Sequence, residues 1–239
     1  MQKNTFFKAK KRFLIVGPRL NGSTRVFNLL RFLSKAAGYK TYSSSIIGYD
    51  FAELSEVHII KAHDAFDNEA QRIKMLESSH VILPFRDVRD CAVSHQTRWP
   101  DSGKSYLEVV LNHIALHYKY EKDADLTVKY ENYSDSQVQK ICKILDLPYE
   151  THLIDDAMNL TEELYNSDDV PENEEELQDL ESEEVLVKMR TFKKHLYTKA
   201  TNTSGGKSEK YKEFFSEEEN NKILDNLMIK AFLDQHGYL

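Results

Sequence analysis

From residue 11 onward, short apolar runs alternate with amphipathic stretches. This alternation predicts a single-domain α/β fold, a doubly wound parallel sheet with helices on both faces. Residues 12–16 (RFLIV) read as the first strand, and the turn GPRLNGST feeds a helix over 26–37, where Phe27, Leu30 and Leu33 recur at helical spacing. Segments 40–47 and 57–61 predict strands, 68–78 a helix, 80–85 (HVILPF) a buried strand and 90–98 a helix. A long helix over 106–122, a strand over 126–130 (LTVKY) and a helix over 134–145 follow, the last opened by Ser134 with Gln137 in capping-box spacing.

The pattern then weakens. Residues 166–184 carry Pro171, many acids and little apolar content, so they predict a mobile excursion or an exposed helix. Residues 201–208 (TNTSGGKS) predict a flexible loop. The chain closes with one expected helix over 216–235, with Ser216 and Glu219 as a capping box and Ile223, Leu227 and Phe232 as its buried stripe. With residues 1–11 as a basic tail, all 239 residues are assigned to one domain.

Charge changes this picture more than composition does. The net charge is −7, but residues 155–184 alone hold fourteen Asp and Glu with no Lys or Arg, so the rest of the chain carries +7. A basic body with one acidic appendage suits an anionic ligand. A stripe of basic and aromatic residues that would mark a nucleic-acid binder is not evident. With 41% hydrophobic and 30% charged residues and a mean hydropathy of −0.57, the chain has no apolar run near the roughly 20 residues of a membrane span. A secretory leader is not apparent either, so the expected compartment is the cytoplasm, with Cys91 and Cys142 as reduced thiols.

Three segments carry candidate chemistry. The first strand runs into Gly17-Pro18-Arg19-Leu20-Asn21-Gly22-Ser23-Thr24-Arg25, a glycine-bounded turn before a helix, which aims backbone N–H groups and the helix dipole at one anion. Compared with GxxxxGK[ST], Ser23 stands where the lysine that grips β and γ phosphates belongs, which argues against a triphosphate-hydrolysing P-loop. Arg86 follows the HVILPF strand, and Ser94 lies eight residues on, so a guanidinium and a hydroxyl can meet one phosphate at the carboxyl end of a strand. Lys61 and His63 end the strand over 57–61, where a spacing of two puts a cation and a general base on one side.

In their order along the chain the segments resemble sulfotransferases that use 3'-phosphoadenosine-5'-phosphosulfate (PAPS). GPRLNGSTR resembles the family's P-loop-like 5'-phosphosulfate turn, RDVRDCAVS its 3'-phosphate motif, and KAH its K-T-H segment. Val128-Lys129-Tyr130-Glu131-Asn132-Tyr133 is similar to the family's Y-E-D segment near the adenine, and residues 205–212 (GGKSEKYK) to its glycine-rich basic loop. The 5' loop is one residue longer than the family's usual P-K-S-G-T-T form, so Arg19 matches the loop lysine with Leu20 as the insertion. The C-terminal loop lacks an R-K-G triplet, which leaves Lys207 or Lys210 to supply 3'-phosphate charge.

The resemblance implies a transferase that moves a sulfuryl group from PAPS to a hydroxyl or amine of a small-molecule or carbohydrate acceptor. Adenosine 3',5'-bisphosphate (PAP) would be released, and no metal is expected. It implies His63 as base, with Lys61 and Arg19 as the cations beside the transferred group. Donor contacts would come from Arg19, Asn21, Gly22, Ser23, Thr24, Arg25, Arg86, Ser94, Tyr130 and Lys207. Two alternatives stay open, a P-loop kinase of small molecules and a non-catalytic PAP-binding protein. Oligomeric state is not legible.

Overall fold

The computed structural model describes residues 11–49, 54–131, 135–146 and 208–239. The acidic stretch, Lys207, most of the loop over 201–208 and the tail before residue 11 lie outside these residues.

Five strands form one parallel sheet in the order β2-β3-β1-β4-β5. They are β1 (Lys11–Ile15), β2 (Thr41–Ser45), β3 (Val57–Lys61), β4 (His80–Phe85) and β5 (Leu126–Lys129). The helices that follow β1, β3, β4 and β5 are α1 (Ser23–Ala36), α2 (Glu69–Glu77), α3 (Val88–Arg98) with α4 (Tyr106–Glu121), and α5 (Asp135–Leu145). After the undescribed segment come α6 (Tyr211–Phe214), α7 (Glu217–Leu224) and α8 (Leu227–Gln235).

The pleat sorts the strand residues between two cores, because successive side chains point to opposite faces. Phe13, Ile15, Val57, Ile59 and Ile82 pack with Phe27, Leu30 and Leu33 of α1 and with Ile141 and Leu145 of α5. On the other face, Leu14, Ile60, Val81 and Leu83 meet Met75 of α2 and Tyr120 of α4. A third cluster joins α3 and α4 to the C-terminal helices through Val93, Ile114, Phe215, Ile229 and Phe232. Both faces of the sheet are thus covered, as the alternating pattern predicts.

The C-terminus departs from expectation. Residues 216–235 form two helices, because the Asn226 side chain accepts from the N–H groups of Met228 and Ile229 and so caps a new helix. The Ser216–Glu219 capping box is present on the first of them. The break resets the helical phase. Ile223 and Phe232 are buried, whereas Leu227, expected in the same stripe, is 81% exposed and Ile229 takes its place inside. The helix expected from residue 26 begins at Ser23, since Asn21 Oδ1 accepts from the Ser23 N–H at 3.1 Å and holds a polar first turn.

Candidate functional site

From β1 the chain passes through α1 to β2, on the β3 side of β1, and from β4 it passes to β5 on the opposite side. The connections therefore diverge at the carboxyl ends of β1 and β4, the place where open parallel sheets take their ligands. Residues 17–24 leave β1 there, and Arg86 leaves β4 beside them.

The loop after β1 is held by its own side chains. Asn21, buried, donates from Nδ2 to the Pro84 carbonyl at 2.7 Å and so ties the loop to the end of β4. Gly17 and Gly22 have φ of 104° and 89°, conformations that glycine adopts without steric cost. A Cβ on Gly22 would fall 2.3 Å from Tyr130 Cδ2, so this glycine is needed for space as well as for its backbone angle. Leu20 also has a positive φ, of 67°.

β3 delivers Lys61 and His63 to this loop, because the register sets Ile15 beside Lys61. Lys61 Nζ donates to Thr24 Oγ1 at 2.5 Å. Burial, and then the charges of Arg98 and Arg19, lower its pKa to about 7. His63 Nδ1 donates to the Gly17 carbonyl at 3.4 Å, so its Nε2 accepts the hydrogen bond that the Ser23 hydroxyl donates at 3.2 Å. Burial, and next the Lys61 charge, hold His63 well below the ordinary histidine pKa, so the ring is neutral at pH 7. His63 and Asp64 sit in the left-handed region, at φ 46° and 61°. Lys119 Nζ donates to Asp64 at 2.7 Å and Tyr120 Oη donates to the same oxygen, which pins that turn to α4.

The second cation group lies one ring away. The Tyr130 ring packs against Gly22, with the guanidinium of Arg86 4.8 Å and that of Arg25 5.7 Å from its centroid. Arg86 Nη1 reaches Ser94 Oγ at 3.5 Å, and its Nη2 reaches Asp90 Oδ2 at 3.3 Å. Asp90, fully buried, also accepts from the N–H groups of Glu209 and Tyr211 at 2.9 and 3.0 Å, so the chain returning after the glycine-containing loop is fastened to this spot. Burial raises the Asp90 pKa, with Arg86 opposing. Arg89 forks onto Asp87 (3.0 and 2.7 Å), donates to the Tyr238 carbonyl and stacks 3.7 Å from the Tyr211 ring centroid, which closes this corner with the C-terminus.

Of the residues expected from the sequence, Asn21, Gly22, Ser23, Thr24, Arg25, Lys61, His63, Arg86, Ser94 and Tyr130 form one connected group. Arg19 is exposed at the rim with its guanidinium 6.0 Å from the Trp99 ring. Two of the expected donor groups already have partners. The Ser23 N–H donates to Asn21 Oδ1, and Arg25 Nη1 donates to the Tyr130 carbonyl at 3.3 Å. Sequence reasoning passed over Arg98, whose charge acts on Lys61 and whose guanidinium lies 5.5 Å from the Trp99 ring. Its position four residues after Ser94, on the same helical face, was the available signal. The Arg86–Asp90 pair lies within local reach, but the anchoring of Glu209 by Asp90 and of Lys119 by Asp64 is not legible locally, because those partners are 119 and 55 residues away.

No known family's sequence profile matches the chain, and no curated protein matches it in sequence. Solved structures do match in fold. A retinol dehydratase in complex with androsterone and inactive cofactor PAP superimposes with a TM-score of 0.58 at 14% identity, covering 96% of this chain and 83% of that one. Mouse sulfotransferase SULT7A1 complexed with PAP gives 0.59 at 11% identity, covering 98% and 91%. Retinol dehydratase with retinol and PAP gives 0.53 at 15% identity, covering 96% and 84%. The chain therefore has the α/β fold of the PAPS-dependent sulfotransferases, at identities where the likeness is one of fold. Among the described residues, no helix is long and apolar enough to cross a membrane.

Proposed function

We propose that the protein transfers a sulfuryl group from PAPS to a hydroxyl or amine of a small-molecule or carbohydrate acceptor. The observation that carries this reading is the meeting of Lys61 and His63 with the loop over 17–24, beside the Arg86–Ser94 pair, at the carboxyl rim of a sulfotransferase fold. The residues present suit a donor with anionic groups at two ends. Lys61, Arg19 and Arg25 stand at the α1 N-terminus and Arg86 at the α3 end, with the Tyr130 ring between.

PAPS, when bound, supplies an activated sulfuryl group with PAP as its leaving group. His63 Nε2, held as the acceptor nitrogen, takes the proton from the acceptor's hydroxyl or amine. Lys61 and Arg19 place positive charge where the departing oxygen becomes negative, and the dipole of α1 with the Ser23 and Thr24 hydroxyls adds to it. Arg86 and Ser94 hold the 3'-phosphate.

Calorimetric titration with PAP, and with magnesium-ATP as the control, tests the donor. PAP alone should bind, and Arg86→Ala should weaken it at least tenfold. With PAPS and an acceptor panel, His63→Ala should lower transfer about 10²- to 10⁴-fold, the usual worth of a general base, and leave PAP affinity within a few fold. A preference for magnesium-ATP would turn the reading toward a kinase. PAP binding without transfer to any acceptor would leave a nucleotide-binding protein.

A further inference from the structure

Behind the Arg86 end of β4, two histidines and a glutamate converge from α4 and the C-terminus. His117 of α4 is 2% exposed, and its Nε2, although buried, has no hydrogen-bond partner. His236, the residue that caps α8, likewise has a buried Nε2 without a partner. Glu121, one turn beyond His117, brings Oε1 to 3.7 Å from His117 Nε2. One ligand atom from each of the three lies within 4.8 Å of the others.

A buried imidazole nitrogen with nothing to bond is rare in folded proteins and calls for a partner. Two such nitrogens, one of them 3.7 Å from a carboxylate that belongs to the same cluster, have a common partner available in a cation. Ring packing holds the two imidazoles side by side. The two imidazoles stand 4.8 Å apart at 77°, and Phe85 and Phe232 wall both of them, at 4.8 to 5.8 Å and 4.4 to 5.1 Å respectively. The geometry points to a divalent metal site formed by His117 Nε2, His236 Nε2 and the Glu121 carboxylate, for an ion of the zinc class.

The ion class follows from the donors. Two imidazoles and one carboxylate suit zinc, cobalt and their neighbours, whereas magnesium and calcium take oxygen ligands. Bonds of about 2.1 Å in a tetrahedron set ligand atoms about 3.4 Å apart. The cluster therefore needs to contract by little more than an ångström, and the His117–Glu121 pair, at 3.7 Å, is already close to that spacing. A fourth position is left for water. The ion would tie the end of α8 to α4. That end also carries the His236 and Gly237 carbonyls that accept from Lys129 and the Tyr238 hydroxyl that donates to Glu131, so the C-terminal turn would be fastened from both sides. This site does not depend on the proposed transfer reaction and holds no residue assigned to it.

The test uses the untagged full chain, stripped with a chelator and titrated with zinc and, separately, with cobalt. One equivalent of zinc should bind and raise the melting temperature, and cobalt should develop the visible absorption of a low-symmetry nitrogen and oxygen site. Magnesium should do neither. His236→Gln and Glu121→Gln, at less buried positions than His117, should each weaken zinc binding at least tenfold and remove the thermal shift, with PAP affinity unchanged. No zinc binding by the wild-type chain, or binding that survives both substitutions, overturns the site.

Discussion

Lys61 Nζ and Thr24 Oγ1 are 2.5 Å apart, a contact that links the end of the third strand to the first turn of the first helix. The ammonium is buried among Arg98 and Arg19, which brings its pKa to about 7. An anion bound beside it favours the charged form, so the bound-state value lies above the free one. PAP binding above about pH 7 should therefore take up a proton, and affinity should fall by as much as tenfold per pH unit over that range. Calorimetry at pH 8 in buffers of different ionisation enthalpy reads the uptake directly. Identical heats in all buffers would contradict it, and Lys61→Met should abolish the difference.

Gly22 has φ 89° and no room for a methyl group against Tyr130. Gly22→Ala should cost about 1–3 kcal/mol through strain at this loop and weaken PAP binding at least tenfold, as measured by urea unfolding and calorimetry. Gly103, which has open space around its Cβ direction at φ 68°, serves as the comparison. Gly103→Ala should leave PAP affinity unchanged.

Arg86 reaches Ser94 and Asp90 while its guanidinium lies over the Tyr130 ring. An ammonium lacks the planar fork that does all three. Arg86→Lys should lose about tenfold or more in PAP affinity even though the charge is kept. Asp90→Ala should be worse for the fold than for the ligand alone. It removes the acceptor of two backbone N–H groups and of a buried guanidinium, a loss of about 3–5 kcal/mol that equilibrium unfolding would show.

His113 is buried in α4, and burial, followed by the charges of His95 and Lys104, lowers its pKa from 6.5 to about 3. Between these values the unfolded chain binds a proton that the folded chain does not. Stability is full above about pH 6.5 and is lost as pH falls toward about 3, at up to about 1.4 kcal/mol per pH unit. His113→Asn should flatten the slope of unfolding free energy against pH by up to that amount.

Strands β3 and β4 occupy the residues that their apolar runs mark, 57–61 and 80–85, because a strand buried on both faces leaves a continuous hydrophobic signature. The same is true of Phe27, Leu30 and Leu33 on α1. The loop over 17–25, the Lys61–His63 step and the Arg86–Ser94 spacing are likewise legible, since each lies within one turn or at one strand end, where chemistry and local geometry coincide. Other features depend on partners far along the chain. Asn226 divides the last helix and turns Leu227 outward. Tyr120 and Lys119 hold the left-handed His63–Asp64 turn, and Asp90 fastens the chain at residues 209–211 beside Arg86. His117 and His236, 119 residues apart, meet only after α8 folds back onto α4. Local spacing carries periodicity and turn chemistry, but which buried polar atom meets which is decided when the sheet register and helix packing bring distant segments together.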